Sequence, residues 1–161
     1  MDSDLRTSTV GAKLAELGIN LPTPMAPVAN YVPFIVTGAL VVVSGQIPAV
    51  DGVVAVTGMV GKAVTIEQGQ EAARLCFINV LAHLQVACGG DLGRVRRVVR
   101  LGGFIAASPG FTQHATVMNG ASNLAVAVFG DAGRHARSTI GVPSLPLGAA
   151  VEVEGIFEIA L

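Results

Sequence analysis

Residues 136–159 read ARSTIGVPSLPLGAAVEVEGIFEI. Pro143, Pro146 and Gly148 divide the stretch into two runs, 137–142 and 150–159, because proline offers no backbone donor to a ladder and glycine punctuates turns. The second run alternates with a period of two. Val151, Val153, Phe157 and Ile159 fall on one face, and Glu152, Glu154 and Glu158 fall with Ile156 on the other. This predicts a strand with one face in a core and the other half exposed. Arg137 stands near the start of the first run and Glu152 near the start of the second. Taken alone, each reads as an ordinary member of a surface ion pair.

Upstream, residues 112–128 carry a helical pattern that Gly130 and Gly133 end, and residues 94–104 are rich in Val and predict a strand. Thr65 followed by Gln68 has the form of a capping box. Ala73, Phe77, Leu81 and Leu84 then make an apolar stripe that runs to Gly89-Gly90, so a long buried helix is predicted there. Before it, two β-rich runs, 31–36 and 40–46, flank Thr37-Gly38-Ala39, short enough for a hairpin. The unbroken Leu40-Val41-Val42-Val43 predicts burial on both faces. Pro48 and Asp51-Gly52 mark a loop, and residues 53–58 form a weak candidate strand. Residues 20–30, with Pro22, Pro24 and Pro27, predict an extended lead-in. Val10, Leu14 and Leu17 predict a short amphipathic helix over 7–17, stopped by Gly18. The order is hairpin, long helix, strand, second helix, two strands. It predicts an α+β fold with two helices on one face of a mixed sheet. Residues 1–30 read as an extension to a domain of residues 31–161.

Composition narrows the function. Apolar residues make up 52% of the 161 and charged residues only 13%, with a formal net charge of −1. So few charges cannot cover a monomer's surface, so a homo-oligomer is predicted. The uncharged stretch 19–50 is interrupted by Pro33 and Thr37-Gly38, too early for the roughly 20 apolar residues of a membrane helix. Asp2 and Asp4 precede the first basic residue, Arg6, unlike a secretory signal, so the expectation is a cytoplasmic protein with no membrane partner. Arg94, Arg96, Arg97 and Arg100 form the only basic cluster. The near-neutral charge and 4% aromatic content favour a solvated strand face over a nucleic-acid site. His83, His114 and His135 are scattered without ligand spacing, so no metal is expected. Cys76 and Cys88 share one predicted helix too far apart to bond, as reduced core thiols.

Several separated motifs together resemble one family. Tyr31-Val32-Pro33 and then Val43-Ser44-Gly45-Gln46-Ile47-Pro48 resemble the opening hairpin of the reactive-intermediate deaminase family, also called YjgF-like. Ala136-Arg137-Ser138, Leu145-Pro146 and Val151-Glu152-Val153-Glu154 match its closing signature in residue type and spacing. The resemblance implies a fold similar to chorismate mutase: a six-stranded mixed sheet carrying two helices, assembled as a homotrimer with ligand clefts between subunits. It implies hydrolysis of enamines and imines to a 2-oxo acid and ammonia without a cofactor. By the same resemblance Arg137 clamps the carboxylate of a small substrate and Glu152 activates water. Tyr31, Ser44 and Asn119 orient the ligand, with the backbone around Thr139 assisting. A planar guanidinium suits the clamp because it can hold a carboxylate bidentately. The sequence departs from the family at Thr139, where Cys is frequent, and at Gly141, where Glu is usual. Two other functions fit the same cleft: a non-catalytic sensor of small 2-oxo acids, and the ribonuclease or translation-inhibitor role ascribed to some relatives, against which the weak basic footprint argues.

Overall fold

The computed structural model describes residues 2–24, 26–27 and 29–161, with side chains from Thr9 onward. Met25 and Val28 of the expected lead-in, and the side chains of Asp2, Asp4, Arg6 and Thr7, lie outside the described residues. The elements are α1 (Asp2–Glu16), β1 (Phe34–Thr37), β2 (Leu40–Gln46), β3 (Ala49–Val50), β4 (Val53–Val54), α2 (Ile66–Ala87), β5 (Val95–Ala106), α3 (His114–Phe129), β6 (Ala136–Val142) and β7 (Val151–Ile159). The main sheet runs β1-β2-β7-β5-β6, antiparallel except for the parallel pair β5 and β6. Among the described residues it has five strands rather than the expected six. β3 and β4 form a separate small ladder around Asp51 and Gly52, whose φ values of 51° and 80° suit the tight turn of a two-residue hairpin.

Local chemistry explains where elements start and stop. The Thr65 hydroxyl accepts from the Gln68 amide at 3.1 Å, and the Gln68 side chain accepts from the Thr65 N–H at 2.9 Å, closing the predicted capping box of α2. The first hairpin strand begins at Phe34, not Tyr31. Pro33 cannot donate to the ladder, although its carbonyl still accepts from the Ser44 N–H at 2.9 Å. On β7 the predicted alternation appears in full, with Val151, Val153, Phe157 and Ile159 buried. On β5 it does not. Two register shifts, between Val95 and Arg97 and between Val98 and Arg100, bury Val95, Val98 and Leu101 at a spacing of three. The arginines therefore do not share a face: Arg94 caps Cys88 O and Ala160 O, and Arg100 meets Glu154 at 3.5 Å.

α2 and α3 cover one face of the sheet, and α1 packs against α3 and the turn before β5, with Val10 and Leu14 in the core. Leu17, expected on that stripe, is exposed beyond the helix end. Phe77 of α2 meets Phe157 of β7 with ring centroids 6.5 Å apart, and the Phe157 ring lies across Gly155, where a methyl group has no room. The two helices approach so closely at Gly120 that its Cα rests on the Gln70 carbonyl. Among the described residues no helix covers the opposite face of the sheet. Val41 and Val43 are buried, but Val42 is 40% exposed and Leu40 39%, so the doubly buried strand expected from the sequence is buried on one face only in the protomer. Ile35, Val42 and Ile156 lie in register across β1, β2 and β7 and form an apolar row on this open face.

Candidate functional site

Glu152 lies near the start of β7, on the face opposite Val151 and Val153. Its carboxylate rests on the backbone of Gly45, where β2 breaks register with β7 between Val43 and Gln46. No hydrogen bond or ion pair engages this carboxylate among the described residues. Burial raises its pKa above the ordinary 4.5, and the negative charge of Glu154 adds to the shift. A carboxylate that is half-buried and unpaired is costly unless a ligand or water uses it. It faces a cavity of about 220 Å³ that Tyr31, Gln46, His83 and Leu147 also line. Cys76 lies beneath, its thiol donating to the Val151 carbonyl at 3.4 Å; burial, and then the Glu152 charge, push its pKa well up. That thiol is a core group, not a nucleophile.

Arg137 lies on β6, the edge strand, and its side chain turns toward α3. Its Nη1 donates to Asn119 Oδ1 at 2.9 Å and to Ser122 Oγ at 3.1 Å, and its Nη2 donates to the Ala115 carbonyl at 3.3 Å. The guanidinium is thus fixed along one edge, and the donors of its other edge, half-exposed, remain open. Behind it, His135 Nδ1 donates to the Gly133 carbonyl at 2.6 Å, because a carbonyl can only accept, leaving Nε2 to accept from the Ser122 hydroxyl at 2.9 Å. The Ser122 oxygen in turn accepts from Arg137. This chain of bonds sets the plane of the guanidinium.

Of the residues expected from the sequence, Glu152 and Tyr31 line one cavity, while Arg137 and Asn119 line another hollow, together with Ser122 and His135. Ser44 is near the first group, but its hydroxyl donates to the Val32 carbonyl at 2.8 Å and does not line the cavity. Thr139 follows Arg137 on β6; its hydroxyl is buried without a partner, so only its backbone remains to offer a ligand. Gly141 admits the His114 ring where any side chain at that position would stand, so Gly141 and His114 form a matched pair. Residues to which the sequence assigned no role here are Gly45, Asn79 and Ser122, together with His83 and His135, which were weighed only as metal ligands. A signal was present for His83 and Asn79: they are polar, one helical turn apart, in an otherwise apolar stripe.

Residues 11–158 match the family described as "YjgF/chorismate_mutase-like, putative endoribonuclease". The chain belongs to the YjgF/chorismate-mutase-like family. The match begins within α1, upstream of Tyr31. Protein TCP17 of Trypanosoma cruzi is 46% identical over 98% of both chains. A solved structure of a protein of unknown function from Agrobacterium tumefaciens superposes with a TM-score of 0.91, at 46% identity over 98% of this chain and 96% of that one. One from Shewanella oneidensis, described as "a putative endoribonuclease", superposes with a TM-score of 0.91 at 33% identity over 94% and 99%. No described helix of this YjgF-like chain is long and apolar enough to cross a membrane.

Proposed function

We propose that this protein hydrolyses reactive enamines and imines to a 2-oxo acid and ammonia, in clefts where Arg137 of one protomer meets Glu152 of another. The observation that carries this reading is the half-finished state of both groups. A guanidinium is held along one edge by Asn119, Ser122 and Ala115, and a desolvated carboxylate has no partner, yet the two line different hollows of the same protomer. Each is prepared for something the single chain does not supply. The apolar row Ile35, Val42 and Ile156 on the helix-free face supports assembly as a homotrimer.

In the proposed step the substrate carboxylate binds the open edge of Arg137, which fixes the imine carbon over the cavity. Glu152 accepts a proton from water as the water oxygen bonds to that carbon. Glu152 returns that proton to the nitrogen, giving a carbinolamine; its hydroxyl proton then passes through the same carboxylate to the nitrogen as the carbon–nitrogen bond breaks, and ammonia leaves as the carbonyl of the 2-oxo acid forms. The same residues can bind a 2-oxo acid without turnover. One experiment separates the two: 2-iminopropanoate is generated from alanine by an amino-acid oxidase and its disappearance followed. Wild type is expected to accelerate the loss and Arg137→Ala to match the protein-free control. Equal rates for both proteins would end the deaminase reading, and 2-oxo acid binding without turnover would favour the sensor. A ribonuclease role has less support, since two of the four clustered arginines are already bonded within the protomer.

A further inference from the structure

His83 of α2 is 3% exposed, and neither ring nitrogen has a hydrogen-bond partner among the described residues. It lines the same cavity as Glu152. One turn earlier, Asn79 has spent both amide hydrogens on the Ile47 and Ala49 carbonyls, each at 3.0 Å, and so pins the loop that forms one wall. Pro24 and Pro27 of the lead-in and Leu147, on a turn with φ 57°, supply apolar walls. An imidazole buried in such surroundings, with its polar atoms open only to the cavity, is left for an occupant of the cavity to bond. Burial also lowers its pKa, which keeps the ring neutral, with one donor and one acceptor to offer.

The geometry points to this cavity as a side-chain subsite in which His83 recognises an uncharged hydrogen-bonding group at the tip of an otherwise apolar substrate side chain. The inference rests on the deaminase reading for the substrate's reacting end and extends it to substrate class: 2-imino acids with a side chain the size of a substituted ring. A cavity of about 150 Å³ takes up benzene, so one of about 220 Å³ has room for a ring and a few further atoms. The charge of Glu152 at the same cavity opposes an anionic tip, and the proline and leucine walls cannot solvate a cationic one. The lead-in ahead of Tyr31 thereby acquires a role, because Pro24 and Pro27 help enclose the occupant.

The test compares 4-hydroxyphenylpyruvate with phenylpyruvate, which differ only in the terminal hydroxyl, by calorimetry on wild type and His83→Leu. Leucine approximates the volume and removes the unpaired polar ring, so the variant is expected to fold with undiminished stability, checked by thermal melting. Wild type is expected to bind the hydroxylated acid about tenfold more tightly or better, and His83→Leu to bind both alike. Equal binding by wild type, no binding of either acid, or a preference that survives His83→Leu would overturn the subsite. The imines generated from tyrosine and phenylalanine form the second arm. Turnover without a hydroxyl preference leaves the deaminase reading intact and rejects the subsite; a binding preference without turnover does the reverse.

Discussion

The carboxylate of Glu152 on β7 lies against the bare Cα of Gly45 on β2, in the space a side chain at position 45 would occupy. Gly45 has no left-handed φ, so alanine there fits the backbone, and the flexible end of Glu152 is what must move. Gly45→Ala is therefore expected to fold normally while displacing the carboxylate by about an ångström. A misplacement of that size costs roughly a hundredfold in rate. Steady-state kinetics should show the loss in kcat with KM little changed; wild-type kcat in the variant would remove Glu152 from the chemistry.

Because burial, and then Glu154, hold the Glu152 carboxyl above 4.5, the acid limb of kcat/KM is expected above the ordinary carboxylate range. Glu154→Gln should move that limb down, since it removes one negative charge and releases the Arg100 guanidinium 3.5 Å away. Stability follows the opposite sense. A raised folded-state pKa favours the fold below the unfolded value and loses that favour as pH rises through the folded value. Glu152→Gln should accordingly raise the melting temperature at pH 7, with the gain fading as pH falls toward 4.5. A gain that grows on acidification would contradict the assigned shift.

The helices, the β7 alternation and the capping box were legible because each is a local periodicity or a contact across three residues. Other features depended on partners distant in sequence. The alternation on β5 is broken by two bulges, and nothing in 94–104 alone announces them. The apparent double burial of residues 40–43 confuses an apolar outer face, available to another subunit, with an apolar core. For the site, resemblance supplied Arg137 and Glu152. Ser122 was passed over and His135 was weighed only as a metal ligand, although both orient Arg137, because hydroxyl and imidazole side chains on a helix and a loop have many ordinary uses.

Arg137→Lys tests whether the planar fork matters. A lysine ammonium carries its donors on one nitrogen and cannot satisfy Asn119, Ser122 and Ala115 while also gripping a carboxylate. Losing one charge-assisted bond, worth about 1.5–3 kcal/mol, lowers kcat/KM by roughly ten- to a hundredfold. Ser122→Ala, which cuts the link to His135, should show a smaller loss confined to KM. Retention of activity within twofold in the lysine variant would show that charge alone suffices.

Gly120 presents no side chain to the Gln70 carbonyl, and the Gln70 side-chain amide donates to the Thr116 carbonyl at 2.9 Å, so α2 and α3 are held in close contact at this crossing. Gly120→Ala must push the helices apart against a packed core. Such overpacking costs about 1–3 kcal/mol, which should lower the melting temperature by several degrees. An unchanged melting curve would mean that the crossing has slack.

A site shared between protomers predicts complementation. Arg137→Ala and Glu152→Gln should each be inactive alone. In a closed ring each cleft draws its arginine from one protomer and its glutamate from the next. After unfolding and refolding an equal mixture, a cleft between one protomer of each kind, in the right order, has both groups intact, so about a quarter of wild-type activity should return. Val42→Lys places a charge in the middle of the apolar row formed with Ile35 and Ile156. It should reduce the assembly to single chains by light scattering, abolish turnover and prevent that recovery when introduced into both partners. If the two groups worked within one chain, mixing would restore nothing and the monomeric Val42→Lys protein would stay active, and the shared cleft would have to be abandoned.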